Sequence, residues 1–194
     1  MLNNALIEYC APTLAGIKTG NLFSVKDNSK EDSNEIYSEI RKLNTTLTKL
    51  GLRVIPIKRN GKKTLVYLYR PDRLKTDLKD PVAIEILSEK GYSCANSDRC
   101  LVELIRHLTT DENFPHEIGL FLSYPPSDVK AFMGSPCAGV KCTGSWKAYS
   151  NESEAKKTFE RYKKCTDLYT HEQKSGKPLD ALIFDANRKL RFAI

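Results

Sequence analysis

Cys10, His116 and Glu117 bring together a thiol, an imidazole and a carboxylate, the parts of a possible thiol chemistry. A thiolate nucleophile needs a base or a cation beside it, and the imidazole needs an acceptor to orient it. The three lie far apart in the sequence, as the members of a folded site usually do. The first expectation is therefore a thiol-dependent enzyme or a small-ligand-binding protein with its site around these residues. Tyr124, Trp146 and Lys147 are the expected ligand-binding residues beside it. Strand alternation argues against a ready-made dyad. Neighbours on a strand face opposite ways, so His116 and Glu117 share a pocket only if the strand begins after them. Pro115 favours such a turned or extended entry. The plainer reading is a histidine that hydrogen-bonds a loop and a glutamate that caps or salt-bridges.

Metal chemistry has less support. Cys137 and Cys142 are separated by four residues, looser than the two-residue gap of structural zinc knuckles, and no second close pair follows. A structural zinc site is not expected, but a site using Cys10, His116 and Glu117, or the two loop cysteines, stays open, and soft thiolates would select zinc, iron or copper over magnesium. The residues name no cofactor. The glycines from Gly134 to Gly144 lack the Walker and dinucleotide spacings. A different chemistry is suggested by the basic segment 156–164, with Lys156, Lys157, Arg161, Lys163 and Lys164 following Trp146, Lys147 and Tyr149. Cations interleaved with aromatics can bind phosphates and stack bases. The alternative function is thus a non-enzymatic interaction protein that binds nucleic acid or another anionic partner through this helix. The bland reading of the same segment is a solvated helix face.

Elements must position these groups. Leu2, Leu6, Ile7 and Cys10 make a short helical stripe, which Pro12 is expected to interrupt. A turn then leads into a strand over 21–26. Asp32 or Ser33 can cap a helix whose apolar face is Ile36, Ile40, Leu43, Leu47 and Leu50, ending at Gly51. Asn60-Gly61 predicts a hairpin between strands 53–59 and 62–69, with Pro56 placing the first at an edge. Short helices follow over 72–79 and 81–90, the second with Asp80 before Pro81. Asn96 or Ser97 caps another helix, in which Cys100 is a packed thiol and His107 a partly exposed side chain. The run 118–122 reads as a buried strand, and Pro125-Pro126 launches a helix to about Met133. Residues 134–144 read as a loop and 145–149 as a strand. Asn151 and Glu154 open a long helix. Residues 181–185 are read as an added edge strand or a poorly ordered end.

The bulk numbers fit one ordinary globular chain. Its 194 residues suffice for a real core, and 40% hydrophobic with 28% charged residues makes disorder a poor default. No apolar run approaches the roughly 18–20 residues of a membrane span. The N-terminus has no basic lead and no long apolar core, so no signal peptide is read there. Six cysteines without an export signal favour reduced thiols and a cytoplasmic location. The net charge of +7 favours an anionic partner. Expected partners are a small molecule first and a polyanion second, with no membrane; no protein partner is specified. The expected fold is a single α+β domain over residues 1–194, with the tail after about 176 loosely attached. It has a mostly antiparallel sheet of four to six strands with helices packed against it. The hairpin and the strand after His116 both belong to that sheet.

Three blocks resemble a known family. They are Cys10-Ala11-Pro12-Thr13-Leu14-Ala15-Gly16, then Pro115 to Leu122 with Tyr124-Pro125 and Asp128-Val129, and Gly144-x-Trp146-Lys147-x-Tyr149 followed by Ala155, Phe159, Tyr162 and Cys165. Their order resembles the bacterial domain-of-unknown-function family 3793, over roughly residues 1–170. Two positions depart from that pattern: Ala148 where valine is expected, and Ser123 where glycine is usual. The resemblance implies a soluble, single-domain bacterial protein and assigns no catalytic residues.

Overall fold

The computed structural model describes residues 2–27, 29–93, 96–111 and 113–183. In chain order the elements are α1 (Leu2–Leu14), β1 (Gly20–Lys26), α2 (Lys30–Leu47), β2 (Arg53–Asn60), β3 (Lys63–Tyr69), α3 (Pro71–Asp77), α4 (Pro81–Glu89), α5 (Ser97–Thr110), α6 (Ile118–Phe121), α7 (Pro126–Gly134), β4 (Cys142–Thr143), β5 (Lys147–Ala148), α8 (Glu152–Lys174) and α9 (Leu179–Leu182). Contacts divide the chain into two units. Residues 1–71 and 162–194 form the first, and residues 72–161 form the second.

The first unit is built on an antiparallel sheet of order β1-β3-β2. The central strand β3 runs from the Gly20↔Tyr69 to the Lys26↔Lys63 pairing with β1, and pairs Arg53↔Tyr69 to Asn60↔Lys63 with β2. The hairpin expected at Asn60-Gly61 is present, moved on by one residue: Gly61 and Lys62 are the loop, and Gly61 takes φ 61°. A glycine in the first loop position supplies the positive φ that this hairpin turn needs. Pro56 lies on edge strand β2 beside a register shift, where a missing N–H costs no ladder bond. Helices α1 and α2 pack on the sheet. Leu2, Leu6, Leu14, Ile40, Val54 and Leu68 are among the buried core residues.

Polar anchors hold this unit together. Helix α2 begins one turn earlier than expected, because Ser29 rather than Asp32 or Ser33 caps it by accepting the Asp32 N–H at 3.1 Å. Buried Asp27 accepts from Ser33 Oγ at 2.7 Å and from Arg59 Nε at 3.0 Å. Pro12 does not interrupt α1, which runs on to Leu14. The carbonyl that proline deprives of a partner belongs to Glu8, an exposed residue that water can serve. At the helix end, the buried Arg70 guanidinium donates to the Thr13 and Leu14 carbonyls, each at 2.8 Å, satisfying acceptors that a helix C-terminus leaves open. The chain end differs from the expected edge strand. Residues 179–182 are the helical turn α9, and Phe184 and Asp185 lie outside the described residues.

The second unit corrects the expected strand number. In place of four to six strands, the described residues form the three-stranded sheet of the first unit and a pair of two-residue strands, β4 and β5, in the second. The run read as a strand after His116 is helical: Ile118–Phe121 is α6, with Ile118, Gly119, Leu120 and Phe121 all buried. A continuous apolar run carries no period, so burial on every side is compatible with either form. Here the Gly119 carbonyl accepts from the N–H groups of Leu122 and Tyr124 at 3.1 and 3.0 Å, and the run closes on itself. The expected strand around Trp146 shrinks to Lys147–Ala148. The caps agree with the sequence. Asp80 accepts from Val82 and Ala83, Asn96 from Arg99, and Asn151 from Glu154.

Candidate functional site

Asp128 organises the site. It lies in the first turn of α7, is 2% exposed, and meets three N–H donors. Its Oδ2 accepts from Trp146 Nε1 at 2.8 Å, and its Oδ1 accepts from the backbone N–H groups of Tyr149 and Ser150 at 3.0 and 2.8 Å. Burial by itself would raise this carboxyl. The donors from Tyr149, Ser150 and Trp146 outweigh it and hold the group below the usual carboxylate range. One side chain thus ties the start of α7 to the β5 segment and fixes the indole.

The indole is set by close packing. The Tyr124 ring stacks on Trp146 with centroids 5.3 Å apart, and the Phe159 ring meets it edge-on at 4.5 Å. Gly144 makes room for Phe159, since a Cβ there would lie 2.3 Å from the nearest ring carbon. Gly119 does the same for Tyr124: a Cβ would lie 3.0 Å from its ring and 2.8 Å from a methyl of Val129. Between the two, Ser123 holds φ 64°. This left-handed turn delivers Tyr124 to the indole, at a backbone conformation that glycine adopts more easily than serine.

These elements enclose a cavity of about 280 Å³. Ile118, Leu122 and Val129 form apolar wall, while His116, Tyr124, Phe132, Trp146 and Lys147 supply the aromatic and cationic surface. Phe114 and His116, both exposed, mark its solvent side. The His116 ring meets Phe132 edge-on at 5.1 Å. Lys147 Nζ lies 5.6 Å above the Phe132 ring and donates to the Pro136 carbonyl at 3.0 Å. Tyr124 is kept a neutral phenol, its pKa raised by burial.

Four of the residues expected from the sequence therefore meet at one cavity: His116, Tyr124, Trp146 and Lys147. Glu117 lies elsewhere in the second unit's interior. It is 3% exposed, and its Oε1 accepts from Tyr92 Oη at 2.9 Å. Burial, then the Glu117 charge, pushes the Tyr92 phenol far up, so it stays a donor. The Tyr92 ring in turn stacks on His107 at 5.0 Å. Cys10 belongs to the first unit, within its apolar core and without solvent exposure. Burial raises its thiol strongly, against the smaller pull of the Lys18 charge. Buried Lys18 is itself lowered to about 8 by desolvation, and its Nζ lies 5.6 Å from the Tyr162 ring centroid.

The remaining expectations fall at the surface. Cys137 is exposed and Cys142 half-buried, while Cys94 lies outside the described residues. Among the described residues, no three His, Cys, Asp or Glu side chains group as metal ligands. On the basic helix, Lys156 pairs with Glu152 at 2.6 Å and Lys157 with Glu154 at 2.8 Å. Sequence reasoning missed Phe132, Val129 and the anchoring role of Asp128. A signal existed: a buried indole needs an acceptor for its N–H, and Asp128 is a short acidic side chain near the aromatic block.

Residues 6–183 match the family described as Protein of unknown function (DUF3793), and the chain belongs to that family. No curated protein and no solved structure matches the chain. Among the described residues, no helix is long and apolar enough to cross a membrane.

Proposed function

We propose that this protein binds a small, flat, largely apolar molecule in the cavity of the second unit. The observation that carries this is the convergence of His116, Tyr124, Phe132, Trp146 and Lys147 on a space of about 280 Å³. An apolar cavity of roughly 150 Å³ accommodates benzene. Twice that volume suits about two fused rings. Mostly apolar walls with a few polar groups are the usual composition of a small-molecule site. Within the earlier choice between thiol enzyme and ligand-binding protein, burial of Cys10 in an apolar core favours ligand binding, since a raised thiol is a poor nucleophile. The basic helix supports the polyanion reading less, because two of its lysines already pair with glutamates.

Cys10, Cys137 and Cys142 are free thiols, which suits a reducing bacterial cytoplasm. The first unit is completed only by residues from Tyr162 onward, which favours treating the chain as one α+β domain assembled from two units.

Thermal unfolding against a panel of one- and two-ring compounds tests the binding proposal. A ligand that binds only the folded state raises Tm further as its concentration climbs above Kd. Two-ring members should raise Tm in the native protein and fail to do so in Phe132→Ala, which removes one wall. No stabilisation by any member, or equal stabilisation of the variant, would overturn it.

A further inference from the structure

We propose that the ligand of this cavity carries a single anionic group, such as a carboxylate, held by Lys147 and His116 at the cavity surface. This assignment of ligand class rests on the binding proposal above and goes beyond it. Four cavity residues carry ionisable side chains: His116, Tyr124, Asp128 and Lys147. Asp128 is charged, but both of its oxygens are engaged by the N–H donors of Trp146, Tyr149 and Ser150. It is the fixed anchor of the wall. Tyr124 is a neutral phenol, stacked on the indole.

Lys147 has donor capacity to spare. An ammonium has three N–H donors, and the Pro136 carbonyl uses one. His116 contacts Phe132 through its ring, leaving its nitrogens able to meet a ligand. A cationic ligand is disfavoured by the same geometry. The Phe132 face is held by the protein's own ammonium at 5.6 Å, and Tyr124 covers a face of the indole at 5.3 Å. A second cation would lose those quadrupoles and meet Lys147 as a like charge. A carboxylate gains charge-assisted bonds from Lys147 while its rings fill the apolar interior.

The test uses three isosteric two-ring probes, 2-naphthoate, neutral 2-naphthamide and cationic 2-naphthylmethylamine, measured by calorimetry on the full chain. The anion should bind about tenfold more tightly than the amide, the size expected for one hydrogen bond to a charged group. Lys147→Met should remove that preference, Lys147→Arg should keep most of it, and His116→Ala should reduce it. All three variants should still bind the amide. Equal binding of anion and amide, a preference for the amine, or an anion preference that survives Lys147→Met would overturn the anionic assignment while leaving the cavity as a binding site. Failure of all three probes to bind would count against both proposals.

Discussion

At the scale of single residues, Asp128 is the most consequential side chain of the second unit. Its carboxylate serves one indole and two backbone N–H groups, and removing it leaves buried donors without an acceptor. Asp128→Ala should cost about 2–3 kcal/mol, read from urea unfolding. The sign of its pH dependence follows from its lowered pKa. Above the unfolded value of about 3.9, both states are ionised and the stabilisation is complete. As pH falls below that, the unfolded chain takes up the proton first, and the contribution is lost through the folded pKa. Stability should therefore fall below about pH 4, and less steeply in Asp128→Asn. Cysteine behaviour gives a second check. Exposed Cys137 should be alkylated rapidly by iodoacetamide, whereas Cys10 should react only on unfolding, as peptide mass spectrometry would show. Rapid native labelling of Cys10 would contradict its assignment as a core thiol.

At the scale of elements, the site depends on turns that bring aromatics together. Gly144→Ala would push the Phe159 ring off the indole, and should cost about 1–3 kcal/mol with loss of near-ultraviolet dichroism from Trp146. Ser123 tests the left-handed turn before Tyr124. Both Ser123→Val and Ser123→Gly lose the hydroxyl's bond to Asp77, and the valine should be the less stable of the two by about 1–2 kcal/mol. Several elements were legible in the sequence because a local device specified each. A glycine turn marked the hairpin, side-chain oxygens marked the caps at Asp80, Asn96 and Asn151, and Pro56 marked an edge. The segment 118–122 was not legible, since apolar residues at every position suit a buried helix as well as a buried strand. That one misreading supplied the objection to pairing His116 with Glu117. In the turn before α6 the two separate for a different reason: Glu117 is held inward by Tyr92, and His116 remains exposed at the cavity.

At the scale of the molecule, the two units hold different chemistry. The first buries Cys10 and Cys165 in its core and uses two buried cations structurally, with Arg70 closing α1 and Lys18 desolvated against Tyr162. The second gathers aromatic residues around a cavity. The aromatic block, Trp146 with Lys147 and Tyr149, was visible in the sequence as a binding candidate, and so was Tyr124. What could not be read was their common destination, because the partners that assemble them, Asp128 and Phe132, lie on a helix that local patterning explains without them. The central claim is that this cavity takes a ligand. Trp146 is the chain's only tryptophan, so its indole N–H gives one resonance, already fixed by Asp128. Titrating 2-naphthoate while following that resonance is the most direct test. A saturable shift with Kd below about 1 mM is expected, absent in Phe132→Ala. An indole resonance that stays in place to the limit of probe solubility would contradict it.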